Sequence, residues 1–249
     1  MAPATRNPTA HSHPGHALFA QFAYPPNELG YCGPQDAGAL LRAGGRTATV
    51  AREFDGAWPY LQAIADCAGV ADPLDVEVVR SYWVGGPRLG QVDAAMLLDR
   101  LRSAFAGQMT GLLADIDAQA TVLAHHSFHV CVVYPWVRFL DRDPATPLRV
   151  LQNCRIRWGT VISVDTEHVM LESRPLTFGT GRLSLGDPAT ERVRWRRDGI
   201  SLTAAPTSGD VVAAHWDWVC GPLTGAEATA LMTTTQATLD LVNTARKRS

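Results

Sequence analysis

The texture of the sequence changes close to residue 150, and this change constrains the fold more than any other feature. Before it, apolar residues recur at helical spacing, as in Ala95, Leu98, Leu101 and Phe105. After Cys154 the pattern becomes short alternating segments separated by turn residues. We therefore predict an α+β protein, with an all-helical domain over residues 16–150 and a small OB-like β-barrel with a C-terminal helix over residues 151–249.

The barrel is predicted from several short strands at near-regular spacing, because no crossover helices separate them. The first candidate strand is broken at Gly159, which indicates a bulge or a sharp bend. After the strands, Thr224 and Glu227 have the spacing of a capping box, and Leu231, Met232 and Leu239 follow on one face of a final helix.

Composition limits the kind of protein. The chain has 249 residues, a net charge of −2 and 46% hydrophobic residues, which is typical of a soluble globular protein without a general affinity for nucleic acid. No apolar run approaches the ~20 residues of a membrane span, and no signal pattern opens the chain, so we predict a cytoplasmic protein. Residues 1–15 are predicted to be a disordered tail. The alternative is that His11, His13 and His16 hold a stray metal.

The five cysteines are odd in number, widely spaced and without a CxxC pair, so neither a disulfide framework nor a zinc knuckle is indicated. Cys32 lies in the turn-rich segment Tyr24–Pro34. That segment either lines a binding groove and exposes a thiol, or is a loop that its tyrosines pin to the helices. We favour the second interpretation, because no base is evident near Cys32.

Histidines are densest between His125 and His129. These two are four residues apart, so on a helix they would share one face, as metal-ligating pairs do. The zinc-hydrolase version of this spacing has a Glu after the first His, where this chain has His126. A buried aromatic face is the alternative.

A different histidine follows the turn at Gly209 and Asp210. The apolar run Val211–Ala214 reads as a short buried strand, and His215 lies at its end. Side chains at strand ends often emerge at a site. The pattern raises the question of whether His215 meets Cys154, which precedes the first strand.

These features together resemble the HypC/HupF family of small [NiFe]-hydrogenase maturation chaperones. The resemblance runs from Cys154 to about Asn243 and rests on Cys154, the bend at Gly159, the Gly209–Val211 turn, His215 and the final helix. It implies that Cys154 ligates an iron carrying cyanide and carbon monoxide, an Fe(CN)2CO fragment, with His215 beside it. It also implies that the partners are a hydrogenase large subunit or maturation scaffold proteins, and that the chain is not an enzyme.

A thiolate and a neutral imidazole are reasonable ligands for low-spin ferrous iron. Arg155 and Arg157 flank this position in the sequence, and we expect them to favour the thiolate form of Cys154.

Two alternatives stay open. The first is a thiol enzyme that uses Cys154 or Cys220 with His215, although no third triad member or oxyanion-hole signature is evident. The second is a non-catalytic OB-like binding or structural module. Its nucleic-acid version would use the alternating Arg192, Arg194 and Arg196, but a solvated strand face is the better interpretation because the chain is not basic.

Overall fold

The computed structural model describes residues 13–41 and 46–247. Its α-helices are α1 (Pro14–Glu28), α2 (Thr47–Ala51), α3 (Trp58–Ala68), α4 (Val76–Trp83), α5 (Ala94–Ala104), α6 (His126–Phe128), α7 (Ala145–Cys154) and α8 (Gly225–Arg246). Short 3-10 helices span Ala37–Leu41, Pro87–Gln91 and Pro135–Phe139, and a π-helical turn spans His129–Val133. The predicted order of elements, with helices before residue 150 and strands after it, is confirmed in outline.

The strands are β1 (Arg157–Val164), β2 (His168–Ser173), β3 (Leu176–Gly179), β4 (Arg182–Leu185), β5 (Ala189–Arg194), β6 (Arg196–Arg197), β7 (Ile200–Ser201), β8 (Val211–His215) and β9 (Trp218–Pro222). Five of them form the main sheet in the order β1-β2-β5-β9-β8, and β1 also pairs with β8, so the pairings run in a closed ring. All pairs in this ring are antiparallel except the single parallel pairing of β5 with β9. The chain is thus α+β and ends in a helix, as predicted, and its main sheet has five strands.

Two hydrophobic clusters organise the packing. The smaller one fills the inside of the five-stranded sheet with seven residues: Val161, Val169, Leu171, Val193, Val212, Ala214 and Val219. The larger one joins helical residues such as Phe19 and Tyr82 to Trp218 and Cys220 of β9. Since α1 also contacts β8 and β9, the end of β8 lies against the helices rather than in solvent.

Gly159 and Gly209 have different roles. A Cβ atom at Gly159 would lie 2.2 Å from the carbonyl oxygen of Glu172, so this glycine allows β1 and β2 to approach closely. The irregularity in their pairing falls between Val161 and Ser163 instead. Gly209 has a φ of 93°, and Asp210 accepts a hydrogen bond from the Thr207 amide, which confirms the predicted turn into β8.

The final helix begins as its sequence predicts. Thr224 and Glu227 form both hydrogen bonds of the capping box. The predicted apolar face is only partly correct, because Leu231 and Leu239 are buried whereas Met232 is exposed.

The all-helical prediction for residues 16–150 is wrong between Met109 and Ala120, where Leu112, Leu113 and Ile116 are buried in turns and irregular backbone. The amides of Gly111 and Leu112 donate to the carbonyls of Val133 and Val132, which diverts the backbone from a helical ladder. Gly111 permits this approach, since a Cβ there would lie 2.4 Å from the Tyr134 carbonyl oxygen.

The predicted tail falls mostly on residues 1–12, which lie outside the described residues, while α1 begins at Pro14. His11 also lies outside the described residues. Within the described ranges, no helix combines the length and apolar character that crossing a membrane requires.

Candidate metal centre

Three buried side chains converge where the helices meet the main sheet. Cys154 is the last residue of α7, His215 is the last residue of β8, and His126 is the first residue of α6. One ligand atom from each lies within 4.8 Å of the other two. The structure therefore brings together the two predicted residues, Cys154 and His215, and adds His126.

His215 is held in a single orientation. Its ring is fully buried, and Nδ1 lies 2.7 Å from the carbonyl oxygen of Phe22 on α1. Since a carbonyl only accepts, Nδ1 carries the proton and donates it. Nε2 then has a free lone pair, and it has no hydrogen-bond partner. This tautomer, fixed by a backbone carbonyl on the opposite nitrogen, is the arrangement found in metal-ligating histidines.

His126 is held from both sides. Its Nε2 lies 2.9 Å from the Cys154 carbonyl oxygen, and its Nδ1 lies 3.0 Å from the Tyr82 hydroxyl, which is also 2.7 Å from the Gly56 carbonyl oxygen. A neutral imidazole carries one proton and so cannot donate at both nitrogens. His126 would become a ligand by giving up one of these two contacts, whereas His215 would give up none.

Burial keeps the cluster uncharged. It raises the pKa of the Cys154 thiol well above its ordinary value, and the neighbouring Cys32 and Cys131 raise it further. It also lowers the pKa of His215 well below 6.5 and that of His126 to about 4. A neutral thiol beside neutral imidazoles is not the thiolate–imidazolium pair of a cysteine enzyme. A bound cation would supply the charge that stabilises the thiolate.

The expectation that Arg155 and Arg157 promote the thiolate is wrong. Arg155 hydrogen-bonds to the side chain of Gln152 and the carbonyl oxygen of Arg174. Arg157 is turned toward Glu191, and both its Nε–Oε distances are 3.1 Å. Neither guanidinium lowers the pKa of Cys154, because both are engaged elsewhere.

Arg157 instead clamps the two segments that carry the predicted site residues. Although its side chain is only 2% exposed, it donates to the carbonyl oxygens of Trp216, just after His215, and Asn153, just before Cys154. The amide of Trp216 also donates to the Asn153 carbonyl at 2.8 Å. These bonds fix the end of β8 against the end of α7, and Glu191 supplies the countercharge for Arg157.

A small cavity lies against the three side chains. Its volume is about 20 Å³, and its lining includes Cys32, Tyr82, Tyr134 and His129 as well as His126, Cys154 and His215. One water needs ~10–15 Å³ of such space. The cavity therefore has room for one small ion or water molecule in this conformation.

The predicted pair of His125 and His129 does not join the cluster, so that part of the metal hypothesis is corrected. His129 N–H does donate to the His125 carbonyl, but His125 is the extended N-cap residue of α6 and its ring contacts Ser127. His125 Nδ1 accepts from the Ser127 amide at the start of α6. His129 lines the cavity, with its Nδ1 3.4 Å from the Tyr60 hydroxyl.

Sequence analysis did not single out His126 as a candidate ligand, although it lies in the histidine-rich segment. Its place in the cluster is evident only from its tertiary contacts with Cys154 and Tyr82.

The arginine-rich strands are largely paired within the chain. Arg192 contacts Asp165, Arg194 lies 3.1 Å from Asp217 and over the Trp218 ring, and Arg197 bonds Glu28. These carboxylates offset the charge that a phosphate backbone would need, which favours the solvated-face interpretation.

The comparison with known proteins identifies the family. A family model described as a family of unknown function, DUF6390, matches residues 11–249. The chain belongs to this family. No curated protein and no solved structure matches it.

Proposed function

We propose that this DUF6390 protein is an assembly factor that holds a metal ion or metal fragment through Cys154 and His215, assisted by His126. The observation that carries the proposal is the convergence of these three buried donor groups, whose ligand atoms lie within 4.8 Å of one another. The free Nε2 of His215 supports it, because an unpartnered buried nitrogen is costly unless something binds there.

The types of donor atom limit which metals this site can bind. A thiolate with two imidazoles suits iron, zinc, copper and cobalt, and is a poor site for magnesium or calcium, which prefer oxygen. Three protein ligands leave a coordination position for a further ligand, which either the cargo or another protein group can fill.

The resemblance to HypC/HupF chaperones makes the cargo an Fe(CN)2CO fragment and the recipient a hydrogenase large subunit or a maturation scaffold. The ring of five short strands followed by α8 supports the OB-like barrel that the chaperone hypothesis requires. We also propose that the protein acts in the cytoplasm. A cavity of about 20 Å³ has no space for three diatomic ligands, so carrying the complete fragment requires the cavity to open.

The test begins with protein purified without oxygen from cells that express their hydrogenase system. Metal content and the infrared region of cyanide and carbon monoxide stretches would be measured for wild type and for Cys154→Ala and His215→Gln. Cys220→Ala is a matched control, because Cys220 is equally buried but does not line the cavity.

We expect one metal per chain in wild type and in Cys220→Ala, and loss of metal in the two site variants. Infrared bands that vanish in Cys154→Ala would establish the iron fragment as the cargo. If metal is present without such bands, the protein binds a metal ion but does not carry the iron fragment. Equal metal content in all variants would refute the proposed ligands.

A further inference from the structure

A second thiol lines the cavity. Cys32 lies in the loop that follows α1, and it lines the same cavity as Cys154, His126 and His215. Its thiol interacts electrostatically with Cys154 and with the hydroxyl groups of Tyr82 and Tyr134, which also line this cavity. The loop therefore brings a fourth potential donor group to the cavity that the three others share.

We propose that Cys32 is the fourth ligand of this site, completing a two-histidine, two-cysteine centre around a divalent transition metal. This inference rests on the proposed metal-binding function and names a ligand beyond it. Cys32 is not among the three groups within 4.8 Å of one another, so the loop moves inward when the metal binds.

Charge balance supports a second thiolate. A divalent cation held by one thiolate and two neutral imidazoles has a net charge of +1, in a cavity lined mainly by aromatic and apolar groups. A second thiolate brings the centre to neutrality, which reduces the desolvation cost of burying the charge. Four ligands of this type also match the tetrahedral preference of zinc and cobalt.

The way the loop is held allows the movement. Asn27 of α1 donates through Nδ2 to the carbonyl oxygens of Cys32 at 2.8 Å and Pro34 at 2.6 Å, which pins the backbone on both sides of Gly33. Gly33 has a φ of 81° and packs against the Phe54 ring, so the backbone turns there. Backbone hydrogen bonds from Gly30 N–H to the Asn27 carbonyl and from Tyr31 N–H to the Pro26 carbonyl also hold the loop. All these bonds join the loop to the end of α1, so the loop can shift with its local hydrogen bonds intact.

The experiment is a titration of the reduced, metal-free full-length protein with Co²⁺. Cobalt–thiolate bonds give a charge-transfer absorption that increases with the number of thiolates, and the ligand-field bands report four-coordinate geometry. The variants are Cys32→Ser, Cys32→His and Cys154→Ser, with Cys67→Ser as a control because Cys67 is a half-buried cysteine on α3 that does not line the cavity.

We expect wild type and Cys67→Ser to bind one Co²⁺ with two thiolate contributions. Cys32→Ser should lose one contribution and bind at least about tenfold more weakly. Cys32→His should also lose one contribution but recover much of the affinity, which a purely structural role of Cys32 would not produce. Circular dichroism of each metal-free variant separates ligand loss from unfolding.

Two outcomes overturn the inference in distinguishable ways. If Cys32→Ser retains the full charge-transfer absorption and affinity while Cys154→Ser loses them, the centre has three protein ligands and Cys32 is excluded. If wild type binds no Co²⁺, both the fourth ligand and the metal-binding function are refuted.

Discussion

The two sides of the central cavity are built differently. On one side, the segments that carry Cys154 and His215 are tied together by Arg157 and by the Trp216 amide. On the other side, Cys32 lies in a loop whose neighbours Leu29 and Tyr31 are 48% and 47% exposed. The first side is held by buried charge-assisted hydrogen bonds between distant segments, and the loop by local hydrogen bonds to the end of α1 and by stacking of Tyr31 on Trp216.

The first side positions the metal ligands, whereas the loop side controls access to the site. Ligands that bind a metal tightly need fixed geometry, and the first side provides it through hydrogen bonds between distant segments. A site that exchanges cargo also needs a wall that can move, and solvent-exposed loops have the lowest local stability in a fold. Substitutions on each side of the cavity should therefore have different effects on stability and on access to the thiols.

The largest effect is expected from removing the clamp. Arg157→Met would leave Glu191 partly buried without its partner and would free the carbonyls of Trp216 and Asn153. Loss of one partner of a buried ion pair costs about 3–5 kcal/mol, which urea unfolding of the metal-free protein would measure.

The control for this change is Arg192→Met on β5. The ion pair of Arg192 with Asp165 is exposed on both sides, so its loss should change the free energy of unfolding by less than about 0.5 kcal/mol. A similar small value for Arg157→Met would show that the fixed side of the cavity is not held by this residue.

A smaller effect is expected on the pH dependence of the free energy of unfolding. Burial lowers the pKa of His129, which faces Tyr60, Tyr134 and His126, to about 3, whereas an unfolded histidine titrates near 6.5. Between these values the unfolded chain binds one more proton, so stability is lost as the pH falls below about 6.5.

The corresponding measurement compares wild type with His129→Gln by urea unfolding at pH 7.5 and pH 5.0 in the presence of a chelator. Wild type should lose about 2 kcal/mol more than the variant over this interval, since each pH unit contributes about 1.4 kcal/mol. Equal losses in both proteins would mean that His129 is protonated in the fold or solvated.

The smallest effect on stability is expected on the loop side. The rings of Tyr31 and Trp216 are stacked with centroids 4.0 Å apart. Removing the ring in Tyr31→Ala should cost about 1 kcal/mol. It should also speed alkylation of Cys32, whose thiol is protected by burial that raises its pKa to about 12.

Tyr31→Phe retains the ring and serves as the control. The rate of Cys32 labelling would be followed by mass spectrometry in both variants. If the two rates equal that of wild type, the stack does not hold the loop over the cavity.

Sequence reasoning located much of this site and misjudged its geometry. Cys154 and His215 were singled out from a turn, a short strand and a resemblance, and the fold brings them together. His125 and His129 were chosen over His126 because residues four apart share one face of a helix, but His125 is the N-cap residue of α6 and its ring accepts from the Ser127 amide. Cys32 was assigned a structural role, because nothing local in the sequence places it near Cys154.

Features that depend on neighbouring residues could be predicted before the fold was known. These are the helical and strand pattern, the turn at Gly209 and the capping box at Thr224, where short-range hydrogen bonds and backbone preferences decide the conformation. The other features depend on long-range packing. Burial of His215 against Phe22, the Arg157 clamp and the shared cavity all join residues far apart in the chain, and their free energies arise only when those segments pack.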